Sequence, residues 1–279
     1  MRAFLLQLVV NASPPDLVCH AKPYAVPDTK SNRGPTFDET VYRSAESLRD
    51  WHRYIQTMQP RMREAEPTAF HHLADLFAYQ ERLCRLYTQN VDGIELKLPH
   101  LHTTVPLRVG RYAPNTVQLH GSIHHMACNK CNWTSPIEVS LFQGSRPPAC
   151  PRCTRLSEER VSRGRRSLNP GALRPRILLQ YHEAGALDTR AIGRLLRDDL
   201  GSEPDALVVA GASLRNVETR RVVRRMCQAV HKDPNGVTIW LNKELPPASI
   251  MSEFDIVVLA SCDWLARNVA DGKGAGQTA

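Results

Sequence analysis

The chain has 279 residues, 42% of them hydrophobic, with a formal net charge of +8 and an isoelectric point near 9.2. That length can bury a full core, and no apolar run approaches the roughly 20 residues of a membrane-spanning helix, so the composition excludes a disordered chain and a helical membrane protein. The basic balance favours an acidic or nucleic-acid-associated partner without locating a site for it.

Ala3 to Val10 reads as a buried first strand. Its apolar run is short for a secretory leader, while a mitochondrial leader stays open as an alternative. Asn11 to Pro35 is loop-like, with Pro14, Pro15, Pro23, Pro27 and Pro35. Ser44 to about Gln59 reads as a helix capped by Ser44, and Leu48, Trp51, Ile55 and Met58 form its core stripe. Thr68 to Gln80 is a second helix behind Pro67, followed by strands at Leu83–Tyr87 and Val117–Leu119.

The stretch from Cys128 to Cys153 holds two CxxC knuckles 18 residues apart. Each knuckle points two thiolates at one centre, and together they complete a tetrahedral four-sulfur zinc site. Two disulfides are the competing pairing, disfavoured by the lack of secretory context. Four protein ligands leave zinc no open position, so the metal is expected to be structural. Cys19, Cys84, Cys227 and Cys262 are scattered and read mostly as small core residues.

Beyond Pro170 strands and helices alternate. Arg176–Tyr181, Ala206–Gly211, Val237–Leu241 and Ile256–Ala260 read as strands, and Thr189–Leu200, Val217–Val230 and Asp263–Val269 as helices. Near-continuous apolar strands between helices predict a parallel sheet covered on both faces, which binds ligands at the carboxyl ends of its strands. Polar residues gather there, in "YTQNVDG", "VQLHG", "VAGASL", "WLNKE" and "ASCDW". Strand-end Asn and Ser are also ordinary turn formers, and His120 read alone is as well explained as a partly buried histidine. The arginines of "ERVSRGRRSLNP" (Arg160, Arg163, Arg165 and Arg166) read first as a solvated linker leaving the ribbon, with DNA phosphates or an import receptor as the functional alternative.

Taken together, "YTQNVDG", "QLHGS", the paired knuckles, "GALRP", "VAGASL", "LNKE" and "SCDW" resemble the sirtuins, NAD-dependent protein deacylases, over about Pro67 to Asp271. In detail, "CRLYTQNVDGIE" and "IGRLLRDDL" resemble the fungal nuclear branch that deacetylates core histones. The resemblance implies an α/β fold: a Rossmann-like parallel-sheet domain at 1–120 and 168–271, a small inserted zinc-ribbon domain at 121–167, and a disordered tail at 272–279. It also implies roles. His120 matches the general base. Gln89, Asn90 and Asp92 match the loop at the ribose and nicotinamide amide. Gly211 and Ser213 match the phosphate-side turn, Asn242 and Glu244 the adenosine ribose loop, and Cys262 the residue beside adenine. Cys128, Cys131, Cys150 and Cys153 match the structural zinc ligands. NAD is then a co-substrate, and the expected partner is an acetylated protein, foremost a histone, with association with chromatin and none with a membrane. The expected location is the nucleus, with cytoplasm and mitochondrion as alternatives.

The sequence departs from the family after its first strand. Sirtuins carry a Gly-Ala-Gly-x-Ser loop there, whereas this chain has no glycine before Gly34. Pro27, Asp28 and Ser31 match the next motif, but Thr29 and Lys30 replace its Phe and Arg, and Ala212 replaces the Thr of Gly-Thr-Ser. Two accounts fit: a misread exon, favoured by the motifs kept from Gln89 to Cys262, or a protein that has given up tight cofactor binding. The second leads to the competing function, a weak or inactive sirtuin-like module that binds a protein or chromatin partner.

Overall fold

A computed structural model of the chain describes residues 6–10, 39–177, 186–214 and 217–270. The proline-rich loop with Pro27, Asp28 and Ser31, Cys19 and the tail 272–279 lie outside the described residues. In chain order the strands are β1 (Leu6–Val10), β2 (Leu83–Thr88), β3 (Thr116–Gln118), β4 (Gly121–Cys128), β5 (Thr134–Pro136), β6 (Leu173–Ile177), β7 (Ala206–Ala210), β8 (Val237–Asn242) and β9 (Ile256–Leu259). The helices are α1 (Ala45–Glu64), α2 (Ala69–Tyr79), α3 (Pro151–Ser162), α4 (Ala186–Gly201), α5 (Val217–Val230) and α6 (Cys262–Ala270).

Six strands form one parallel sheet in the order β3-β2-β1-β7-β8-β9. Alternation of side chains along each strand divides its residues between two apolar clusters. Leu207 and Val209 of β7 join Tyr87, Trp240, Leu195, Val223 and Met226 on the face covered by α4 and α5. Val208 and Ala210 join Leu86, Leu241, Phe70, Leu73 and Ala266 on the face covered by α2 and α6. Both faces are covered over β7 and most of β2 and β8, hence their near-continuous apolar runs, while the edge strand β9 is largely exposed. The order of connection reverses between β1 and β7, which opens a crevice at the carboxyl edge beside them.

One polar group is locked inside this sheet. Arg85 of β2 donates from Nε and Nη2 to the two carboxylate oxygens of Asp199 on α4, at 2.8 and 2.7 Å. Tyr87 Oη donates to the same carboxylate at 2.5 Å, and Arg85 Nη1 to the Pro114 carbonyl. A fully partnered guanidinium can stay charged out of water.

The second sheet is small and antiparallel, in the order β5-β4-β6. This corrects one expectation. Of the strand expected at Arg176–Tyr181, Arg176 and Ile177 belong to β6 (Leu173–Ile177), which pairs with β4 next to the knuckles and not with the parallel sheet, and residues 178–181 lie outside the described residues. The small sheet therefore takes its third strand from beyond the expected boundary at residue 167. β6 is an edge strand, where Pro175 removes no ladder bond that the fold needs. A second correction concerns α1. It runs past Gln59, through Pro60, to Glu64, and the burial of Met58 and Met62 outweighs the lost proline donor. Its stripe of Leu48, Trp51 and Ile55 packs with Ile123 and Ile177 of the small sheet. Gln56 Nε2 donates to the Phe142 carbonyl at 2.8 Å and His52 Nδ1 to the Gly144 carbonyl at 3.0 Å, so α1 is fastened to the zinc-bearing region.

Candidate functional site

The functional candidates sit at the carboxyl edge of the parallel sheet. β2 ends at Thr88, whose hydroxyl accepts from the Asn90 N–H at 3.0 Å and whose carbonyl accepts from the Leu119 N–H at 2.8 Å. These bonds fold "TQNVD" into a tight turn beside the end of β3. Asn90 and Asp92 are buried, and Asp92 Oδ1 accepts from the Ile94 N–H at 3.3 Å. Gln89 Nε2 and Asn90 Nδ2 are buried donors with no hydrogen-bond partner among the described residues. Each such group costs about 1–3 kcal/mol, so two adjacent orphans on a strand-end loop mark a surface shaped for a ligand that accepts hydrogen bonds.

His120 follows β3 on the same edge, and Gly121 takes φ +78° to turn the chain into β4. Burial holds the His120 imidazole below its ordinary pKa, so the neutral ring prevails at physiological pH. A neutral imidazole offers the lone pair a general base needs.

Three residues not singled out from the sequence support this turn. β4 carries a bulge between Ser122 and Met126, and within it His124 Nε2 reaches the Asp92 carbonyl. That carbonyl only accepts, so Nε2 carries the proton, and Nδ1 accepts from Gln59 Nε2 of α1 at 3.1 Å. Glu95 is fully buried and accepts from Gln118 Nε2 at 3.3 Å. Burial, reinforced by the Asp92 charge, pushes its carboxyl up to about 8. Helix-to-loop contacts of this kind leave no periodic trace; the only signal was the paired histidine in "HGSIHH".

Farther along the edge, Gly211 takes φ +64° after β7 and donates its N–H to the Leu241 carbonyl at 2.9 Å. Asn242 Nδ2 donates to the Ala212 carbonyl at 3.0 Å, and its Oδ1 accepts from the Lys243 N–H at 2.7 Å. Asn242 thus ties the β7 and β8 turns together, while Ser213 and Glu244 are exposed beside it. Cys262 opens α6, with its thiol pushed up to about 11 by burial and then by Asp263. The structure brings Gln89, Asn90, Asp92 and His120 together at the ends of β2 and β3, and Gly211, Ser213, Asn242 and Glu244 at the ends of β7 and β8.

The four knuckle cysteines converge as well, their sulfurs all within 4.8 Å of one another. Cys128 and Cys153 sulfurs lie 3.8 Å apart, as do those of Cys131 and Cys150. A disulfide would bring a pair to about 2.05 Å. Zinc–sulfur bonds of about 2.3 Å in a tetrahedron place sulfurs about 3.8 Å apart, the spacing these two pairs already have, so the set fits a zinc ion. The Lys130 and Cys131 N–H groups point at Cys128 Sγ from 3.3 and 3.5 Å, as donors to a thiolate would. Gly171 of "GALRP" closes against this centre, where any side chain would collide with Cys128 Sγ.

A Sir2 family model matches residues 30–218. The chain belongs to the Sir2 family, the sirtuins. It is 38% identical over 232 residues to the "NAD-dependent protein deacetylase hst4" of Emericella nidulans, a match covering 83% of this chain and 39% of that protein. It is 36% identical over 263 residues to the "NAD-dependent histone deacetylase HST4" of Saccharomyces cerevisiae, covering 85% and 69%. A Schizosaccharomyces pombe relative, "NAD-dependent protein deacetylase hst4", is 36% identical over 222 residues, covering 80% and 53%. This Sir2-family chain thus spans only part of the length of these relatives. Among solved structures, "Sir2-p53 peptide-NAD+" superposes with a TM-score of 0.65 at 18% identity, covering 98% of this chain and 94% of that one. "Sir2 bound to acetylated peptide" gives 0.64 at 16%, covering 98% and 94%. These likenesses support the sirtuin fold: a Rossmann-like α/β sheet joined to a zinc ribbon.

Proposed function

We propose that this chain is an NAD-dependent protein lysine deacetylase acting on an acetylated histone in the nucleus. Membership of the Sir2 family and the activities named for the fungal relatives support the reaction class. The observation that carries it to this chain is the pair of unpartnered buried amides, Gln89 and Asn90, on the turn beside His120.

Bound NAD supplies an electrophilic ribose carbon and a nicotinamide leaving group. Gln89 Nε2 and Asn90 Nδ2 donate to acceptors of that ligand and recover the hydrogen bonds the protein leaves unmade. Asp92 is held by the Gln59–His124 relay, so the turn is set before the ligand arrives. His120, kept neutral by burial, would take a proton from the ribose hydroxyl of the bound co-substrate. Acetyl-lysine, NAD and one water yield lysine, nicotinamide and O-acetyl-ADP-ribose. The zinc site, closed by four thiolates, takes no part in the chemistry.

The test is a histone-peptide assay with mass detection of all three products. His120→Tyr is expected to lower turnover by about 10²–10⁴ while zinc content and melting stay unchanged. Wild-type turnover in the variant would place the base elsewhere. No turnover by the zinc-loaded parent would favour the inactive binding module.

A further inference from the structure

Nearly all of the chain's net charge lies in one place. From Gly121 to Ile177 there are ten lysines and arginines against three glutamates, whereas the rest of the chain carries 26 against 25. Nine of the ten are arginines. Even with the two negative charges of a zinc tetrathiolate, this region stays strongly positive.

The structure also shows that the basic run is not a loose linker. α3 ends at Ser162, and Gly164 takes φ +68°. The Gly164 N–H donates to the Val161 carbonyl at 2.9 Å, and the Arg165 N–H to the Arg160 carbonyl at 2.9 Å. This pair of bonds around a left-handed glycine is a Schellman motif, which turns the chain back on its own helix. The return is held along its length. Arg160 Nε donates to the Arg166 carbonyl at 3.4 Å, the Leu168 N–H to Ser157 Oγ at 2.9 Å, and Lys130 Nζ to the Asn169 carbonyl at 2.8 Å. Arg163, Arg165 and Arg166 are thereby held on an ordered, exposed return, and Arg152 and Arg155 of α3 are exposed as well. Only Arg155 has an acidic partner among the described residues, Glu159 at 3.7 Å.

We propose that this arginine hairpin on the zinc-bearing region is a docking surface for the phosphate backbone of duplex DNA. Guanidinium forks match phosphate oxygens two at a time, which explains arginine over lysine. Binding of single strands relies on aromatic side chains that stack on bases, and Pro151 to Pro170 contains no aromatic residue. Duplex DNA offers a dense, regular array of charges that the closely spaced Arg163, Arg165 and Arg166 can engage. None of these arginines belongs to the candidate site at the carboxyl edge of the parallel sheet, so the surface would position the protein on DNA.

Fluorescence anisotropy of the full zinc-loaded chain with a labelled 25-base-pair duplex tests this, titrated at several salt concentrations. The variant is Arg163→Gln/Arg165→Gln/Arg166→Gln, its fold checked by zinc content and melting. A control removes the same charge from other helices: Arg63→Gln/Arg221→Gln/Arg225→Gln. The hairpin variant is expected to bind at least about tenfold more weakly at 0.1 M salt, with the slope of log K on log salt reduced by about 0.9 for each phosphate no longer neutralised. The control should change affinity much less. Equal weakening by both variants would reduce the effect to net charge and overturn the proposal. Tighter binding of poly-glutamate than of the duplex would assign the surface to an acidic protein, and tighter binding of a single strand would also overturn it.

Discussion

The parallel sheet is closed between two apolar clusters and draws on Trp240, Leu207, Val209, Phe70 and many more buried side chains. The antiparallel sheet has a cluster of Met126, Phe142 and Leu173 beside the buried cysteines Cys128 and Cys150. The contrast is one of means. Burial on two faces stabilises the first sheet enough for it to carry amides without partners among the described residues along one edge, where the proposed ligand would complete them. The second cannot bury comparable area, so metal coordination takes the place of a core, and its outer surface is free to carry charge.

Removing the metal should separate the two regions most sharply. Structural zinc binding contributes on the order of 10–16 kcal/mol in isolated peptides. Cys150→Ser is expected to lose zinc and to expose the backbone amides of residues 121–177 to rapid hydrogen exchange, while those of β7 and β8 stay protected. Full zinc occupancy with unchanged exchange would mean the small sheet stands on packing alone.

A break in the buried ion pair should act on the other region. Arg85→Met strands the Asp199 carboxylate in an apolar setting with only the Tyr87 hydroxyl as partner, and is expected to cost about 3–5 kcal/mol in urea unfolding. The double variant with Asp199→Leu should recover part of that loss, the remainder being the Tyr87 hydroxyl left without its acceptor. An equal loss in single and double variants would show that shape, not the stranded charge, sets the cost.

Acid should reach the parallel sheet through His71. Its buried ring sits on α2 with Nδ1 accepting from the Thr68 N–H at 3.1 Å, and burial lowers its pKa to about 4. The unfolded chain, with its histidine near 6.5, therefore takes up the proton first. The stabilisation is complete above about pH 6.5 and is lost as pH falls toward about 4, to a total of roughly 3 kcal/mol. Urea midpoints of His71→Gln should vary less with pH across that window than those of the parent.

The smallest effect concerns the glycine-free loop after Val10. Glycines let backbone N–H groups approach a pyrophosphate, and prolines donate none. Restoring Gly-Ala-Gly-Ile-Ser after Val10 is expected to tighten NAD binding roughly tenfold by calorimetry, the worth of one or two hydrogen bonds. Equal, tight binding by both chains would show that the rest of the edge suffices.

The sequence by itself determined what depends on neighbours along the chain. Apolar runs ending in Gly211, Asn242 and Gln118 gave parallel strands with polar ends, because side-chain period and turn chemistry are local. The CxxC spacing gave the four metal ligands for the same reason. Strand β4 stayed hidden because its bulge breaks the alternation, and α3 because its first turn lies inside a knuckle. Tertiary structure alone decided the partner of each element. Leu173–Ile177 alternates buried Leu173, Pro175 and Ile177 with half-buried Arg174 and Arg176, as a sheet with one packed face requires, and the approach of β4 and the fit of Gly171 against Cys128 placed it by the metal. The stripe of α1 showed a buried face without showing what buries it. The unpartnered amides of Gln89 and Asn90 were also invisible beforehand. Whether a donor is satisfied depends on every group that folds around it, and that is fixed only when distant segments meet.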